Sequence, residues 1–151
     1  MIEKGQLPHG MAVLGLGVDM VEIERVRSAM EGRAGERFER RVFTPEESAY
    51  CRSKADPYPH FAARFAAKEA VMKAFGTGWT AQVNWTGIEV RHGERGRPLL
   101  KLNSPTDEFA RSFGLIEAHI SLSHDRGRAV AVALILGERP DKKMEEKDTP
   151  V

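Results

Sequence analysis

Asp19 closes the stretch Gly15-Leu16-Gly17-Val18-Asp19, where a carboxylate beside two glycines could hold a metal ion against a phosphate. No third glycine follows at the offset of a dinucleotide-binding fingerprint. The plainer alternative makes Asp19 the cap of the next helix. Glu69 and Lys73 lie four residues apart, so on a helix they share one face, with the acid in the favourable N-terminal position. As an exposed pair they would contribute only roughly a few tenths of a kcal/mol. As a Mg²⁺ ligand and a phosphate donor they would meet one polyanion from the same side. Around them Ala66, Ala67, Ala70 and Ala74 keep the helix surface low and admit something large. Ser121-Leu122-Ser123-His124 ends a predicted strand, in which neighbouring side chains point to opposite faces. That alternation, and the lack of a G-x-S-x-G elbow, disfavour a serine nucleophile with His124 as its base. Hydroxyls and an imidazole at a strand end suit phosphate or ribose better.

The remaining candidates are weaker. From Arg25 to Arg64 the chain carries eight Arg and one Lys against five Glu and one Asp, a local excess of +3. Such helices usually present a solvated face, yet a row of arginines also suits an acidic partner or phosphate. His9, His60, His92 and His119 show no metal-ligand spacing with one another or with Cys51 and are read as structural or surface residues. Cys51 sits inside a predicted helix without an evident partner and is read as inert.

The elements that must position these residues fit one domain of 151 residues, 41% hydrophobic and 30% charged. A net charge of +1 argues against a protein that coats nucleic acid. A single cysteine and the lack of any apolar run near 20 residues point to a cytoplasmic setting without a membrane span. Met11 to Val18 reads as a buried strand, and Val21 to Met30 places Ile23, Val26 and Met30 on one helical stripe. Thr44-Pro45-Glu46-Glu47 is a helix start with a capping box. That helix should stop before Asp56-Pro57-Tyr58-Pro59. The longest helix is predicted from about His60 to Phe75, with Phe61, Phe65, Met72 and Phe75 as its core stripe. A hairpin over Ile88–His92 and Pro98–Leu102, a helix over Ser104–Phe113 and strands over Ala118–His124 and Arg128–Leu136 complete the pattern. Without regular βαβ alternation the class is α+β. The working domain is expected over residues 11–136, with residues 1–10 and 137–151 as flexible ends. Arg128 to Leu136 is apolar on both faces, more than a small monomer needs to bury, which favours an oligomer.

Three stretches, taken in order, resemble the signatures of the holo-acyl-carrier-protein synthases. These are Gly17-Val18-Asp19 with Arg25 after five residues, Phe65 to Gly76 (FAAKEAVMKAFG), and Ser121 to His124. The similarity covers roughly residues 13–136; the first ten residues and the charged tail are departures that touch no motif. The resemblance implies a 4′-phosphopantetheinyl transferase-like single domain, with a small, mostly antiparallel sheet packed against a long central helix. It implies transfer of 4′-phosphopantetheine from coenzyme A to a serine of apo-acyl carrier protein, dependent on Mg²⁺. Adenosine 3′,5′-bisphosphate is the second product, and fatty acid biosynthesis is the setting. Carried over by position, Asp19 and Glu69 would be metal ligands, with Lys73 as the third catalytic residue. Arg64, Lys73, Ser123 and His124 would hold coenzyme A, and Arg25, Arg27 and Arg33 would dock the carrier. The family's homotrimers, with active sites between subunits, are also expected here. Glu69 or a metal-bound water near Asp19 would accept the serine proton. The competing classes are a Mg²⁺-dependent nucleotide pyrophosphohydrolase, for which Asp19, Glu69 and Lys73 would serve equally, and a small nucleotide- or RNA-binding module. Near-neutral charge and the lack of interleaved aromatics count against the module.

Overall fold

A computed structural model describes residues 7–140. The chain runs β1 (Ala12–Glu22), α1 (Ile23–Glu31), α2 (Gly35–Val42), α3 (Pro45–Arg52), α4 (Tyr58–Phe75), β2 (Ile88–His92), β3 (Pro98–Leu102), α5 (Thr106–Phe113), β4 (Leu115–His124) and β5 (Arg128–Gly137). Two antiparallel sheets result, a three-stranded one in the order β1-β5-β4 and the β2-β3 hairpin. The class is α+β, as the sequence predicts.

α4 is the hub. It packs on β1 and β5 along one side and on α1, α3 and β2 along others. The expected single stripe of Phe and Met is therefore a nearly all-round burial, shared between two clusters. One gathers Met72, Phe75, Val83, Ile88 and Ile135; the other gathers Ile23, Val26, Met30, Phe43 and Phe61. Phe65 is only half-buried and stacks on Trp85 with ring centroids 5.1 Å apart. The low alanine surface of α4 receives the protein's own strand rather than a foreign body. A Cβ on Gly15 would lie 1.9 Å from the Ala74 carbonyl oxygen, and one on Gly17 1.9 Å from that of Ala70. Only glycine permits that approach.

Several boundaries differ from the sequence reading. β1 continues to Glu22, because its alternation persists through Met20 and Val21, and α1 starts at Ile23. Glu22, not Asp19, occupies the cap position of α1, and it makes no side-chain cap bond, so Asp19 is not a helix cap. α4 begins at Tyr58 with Pro59 in its first turn, where a missing N–H costs nothing. α2 has no counterpart among the predicted helices, although Phe38 and Val42 are spaced as one helical face. The capping box is present: the Thr44 amide donates to Glu47 Oε1 at 3.0 Å and the Glu47 amide to Thr44 Oγ1 at 3.2 Å. Cys51 is fully buried, and burial pushes its thiol up to about 12, so it is inert as read. Residues 1–6 and 141–151 lie outside the described chain, and with them most of the two expected ends; Gly137 is the last residue of β5.

Candidate active site

Strand alternation decides where Asp19 points. Gly15, Gly17, Asp19 and Val21 pair across to Ile135, Ala133, Ala131 and Ala129 of β5, all buried toward α4. Asp19 therefore faces the helix, with its side chain only 10% exposed. Glu69 meets it from α4. Burial and then the hydrogen bond and charge of Asp19 push the Glu69 carboxyl up to about 7. Lys73, one turn further on, donates from Nζ to Asp19 Oδ1 at 2.9 Å and to the Val18 carbonyl at 3.1 Å. The hydrogen bond to Asp19 raises the Lys73 pKa. The helix-face pair expected between Glu69 and Lys73 is thus replaced by an inter-element pair between Asp19 and Lys73. Beside these groups opens a cavity of about 240 Å³ whose walls include Arg25, Phe38 and Phe65 as well as Asp19 and Glu69.

The docking candidates differ in availability. Arg25 and Arg33 are exposed. Arg27 is engaged within the chain, 3.3 Å from Glu24, 3.5 Å from Asp56 and with its guanidinium 4.4 Å over the Tyr58 ring.

A second polar cluster forms one turn or more along α4. Arg64 is 1% exposed, its Nη1 donating to the His60 carbonyl at 3.1 Å and its Nη2 bonded to His92 Nε2. Its guanidinium lies 4.3 Å over the Tyr50 ring, which in turn stacks on His92 at 4.1 Å. Nε of Arg64 is buried without a partner. His124 reaches the same place from the end of β4, its ring 5.7 Å from that of His60. Burial first, and then the Arg64 charge, lower the His60 pKa, and burial likewise lowers that of His92. Arg64 gives the cluster its positive charge, burial favours the neutral forms of His60 and His92, and no carboxylate is among these contacts to offset that charge. By sequence His60 and His92 are structural or surface residues and Tyr50 is not singled out, yet all three pack against Arg64; the one signal in the sequence is His60 four residues before Arg64 on one helix face. Ser123 pairs with Val130 across the ladder and is exposed on the sheet face turned away from α4. The structure thus gathers Asp19, Glu69, Lys73 and Arg25 at one place and Arg64 with His124 at another.

Among the described residues no three His, Cys, Asp or Glu side chains gather as a metal site. The Asp19–Glu69 pair still fits Mg²⁺, which is usually held by one or two carboxylates while substrate phosphates and water complete its shell. Two carboxyls close enough that one pushes up the pKa of the other are a donor set that a hard cation would satisfy in place of a proton.

Comparison with known proteins bears on what this arrangement does. Residues 15–133 match the family model described as the 4′-phosphopantetheinyl transferase superfamily. A holo-[acyl-carrier-protein] synthase of Koribacter versatilis is 43% identical over 123 residues, 82% of this chain and 98% of that protein. The crystal structure of the holo-[acyl-carrier-protein] synthase of Neisseria meningitidis superposes with a TM-score of 0.74 at 28% identity, covering 82% of this chain and 98% of that one. The Helicobacter pylori enzyme of the same name, solved in complex with coenzyme A, gives a TM-score of 0.71 at 29% identity, covering 80% of this chain and 98% of that one.

Proposed function

Because the chain belongs to the 4′-phosphopantetheinyl transferase superfamily, and within it to the holo-[acyl-carrier-protein] synthases, we propose that it transfers 4′-phosphopantetheine from coenzyme A to a serine hydroxyl of apo-acyl carrier protein. The second product is adenosine 3′,5′-bisphosphate, and the reaction serves fatty acid synthesis in the cytoplasm. The observation that carries this reading is the meeting of Asp19 and Glu69 across the β1–α4 seam, with Lys73 on Asp19. Asp19 and Glu69 would hold Mg²⁺, which supplies neutralisation of the pyrophosphate charge at the leaving group. The Lys73 side chain is 57% exposed, so it is free to swing from Asp19 onto the same pyrophosphate. Arg64 and His124 would serve the nucleotide phosphates, His124 from the exposed end of β4 and Arg64 through its charge from beneath.

Arg25 lines the cavity at its rim and would meet the acidic carrier, with Arg33 farther along. Arg27 would contribute only after leaving Glu24 and Asp56. Ser123 would act from the outer sheet face, which is also where the proposed homotrimer closes. That face exposes Leu16 (66%), Val18 (57%), Met20 (61%) and Val132 (39%), a contiguous apolar strip on β1 and β5.

The experiment is to incubate the protein with coenzyme A, Mg²⁺ and an apo carrier protein and weigh the carrier. A carrier heavier by one phosphopantetheine group, with transfer abolished by excess chelator, is the expected result. Cleaved coenzyme A beside an unmodified carrier would instead establish a pyrophosphohydrolase. Binding without turnover would establish a nucleotide-binding module.

A further inference from the structure

A buried ion pair lies directly behind the candidate site. Lys68 and Glu47 are both 0% exposed in their side chains. All three protons of the Lys68 ammonium are used: Nζ donates to Glu47 Oε1 at 2.7 Å, to the Trp85 carbonyl at 2.8 Å and to the Ile88 carbonyl. Glu47 Oε1 also accepts the Thr44 amide, and Oε2 accepts the Val90 amide at 3.0 Å. Four segments therefore converge on one ammonium–carboxylate contact: α3, α4, the loop bearing Trp85 and β2.

The energetics do not explain this arrangement as a stability device. Replacing a buried ion pair by well-packed neutral residues is often neutral or stabilising, whereas removing one partner is strongly destabilising. The geometry offers another role. Glu69 follows Lys68 in sequence and stands about 100° around α4 from it. On the side facing β1, α4 presents the small Ala70 and Ala74 to Gly17 and Gly15. The Lys73 side chain that crosses this seam is 57% exposed, so the buried tether at Lys68 holds the helix's roll from another side. A helix with side chains is about 10–12 Å across, so a roll of roughly 10° carries a side-chain tip about 1 Å. A misplacement of about 1 Å at a reacting centre can cost roughly 100-fold in rate. The same tether holds the Trp85 loop, whose indole backs Phe65 in the cavity wall.

We propose that the buried Glu47–Lys68 pair is a positioning device that locks the roll of α4 at the angle where Glu69 meets Asp19. This rests on the transferase reading above. Neither residue touches the cavity, so both act through Glu69 and Phe65.

The test compares the parent with Lys68→Met, Lys68→Gln and the double variant Glu47→Gln/Lys68→Met, with Asp19→Ala run beside them. Lys68→Met leaves a lone buried carboxylate and should lower the thermal midpoint sharply. The double variant removes that charge and should recover part of the midpoint, because the Trp85 and Ile88 carbonyls still lack their donor. Its kcat, measured below its midpoint with coenzyme A, carrier and Mg²⁺ saturating, should stay down roughly 10- to 100-fold. Lys68→Gln keeps one donor for a carbonyl and should fall between parent and Lys68→Met in kcat. Calorimetric titration with coenzyme A adds a readout that needs no turnover. The double variant should bind more weakly than the parent in Mg²⁺, and the two should converge in excess chelator. Parental kcat in the double variant, while Asp19→Ala is inactive, overturns the positioning role and leaves the transferase reading intact. A parent that modifies no carrier removes the transferase reading instead.

Discussion

Glu69, held near a second carboxyl, should leave a pH signature in the metal-free protein. Its folded pKa is about 7 against an ordinary 4.5, so the folded state favours the protonated acid. The stabilising contribution is complete below about 4.5 and is lost as pH rises through about 7. In chelator, Glu69→Gln should therefore melt higher than the parent above neutrality and lose that advantage near pH 5; a constant difference across that range would contradict the shared proton. The rate tells chemistry from docking. Asp19→Ala should lower kcat about 100-fold or more even with carrier saturating, since it removes a group acting on developing charge. Arg25→Ala should mainly raise the carrier's KM, because its contact is equal in ground and transition states, and should weaken the salt dependence of KM. If Asp19 only paired with Lys73, the loss would be about 1 kcal/mol of stability or less, with kcat unchanged.

Between elements, the decisive contact is the glycine–alanine seam of β1 and α4. Gly17→Ala would drive a methyl group into the Ala70 carbonyl, 1.9 Å away, and neither backbone can yield cheaply. Overpacking of this kind costs about 1–3 kcal/mol, and here it also pries Glu69 from Asp19. The variant should therefore lose stability by thermal unfolding and lose kcat on the remaining folded protein. Full kcat would show that the site tolerates a wider seam. α3 shows the reverse arrangement, in which one residue serves two elements. Glu47 closes the capping box with Thr44 and neutralises Lys68 from α4, so its helix start and its buried ion pair are one network.

For the whole molecule, the outer sheet face sets the expected assembly. Alternation sends Ala129, Ala131, Ala133 and Ile135 toward α4 and Val132 outward, beside Val18 on β1. Light scattering should report three chains per particle. Leu16→Glu combined with Val132→Glu should release monomers and reduce transfer, because a charge on a closed apolar interface is left without a partner. A monomeric parent with full activity across working concentrations would rule the trimer out.

Much of this was legible in the residues themselves. The α+β class, the capping box at Thr44, the β2-β3 hairpin and the Ile23, Val26, Met30 stripe follow from local periodicity and turn chemistry, which act within a few residues. The motifs Gly17-Val18-Asp19 and Phe65 to Gly76 announced the family for the same reason, since a motif is a local pattern. Which residues meet was decided only in three dimensions. Strand alternation and the register of β1 on β5 turn Asp19 toward α4, so Lys73 bonds to Asp19, 54 positions away, rather than to Glu69 on its own helix. Lys68 reads in sequence as one more charge on a helix, yet burial makes its ammonium the junction of four segments. The resemblance offers Arg64 as a coenzyme A ligand, but only the packing of α4 shows that Tyr50, His60 and His92 close around it. Spacing orders groups along one element, whereas burial and long-range pairing depend on how separate elements pack, and no window of neighbouring residues carries that information.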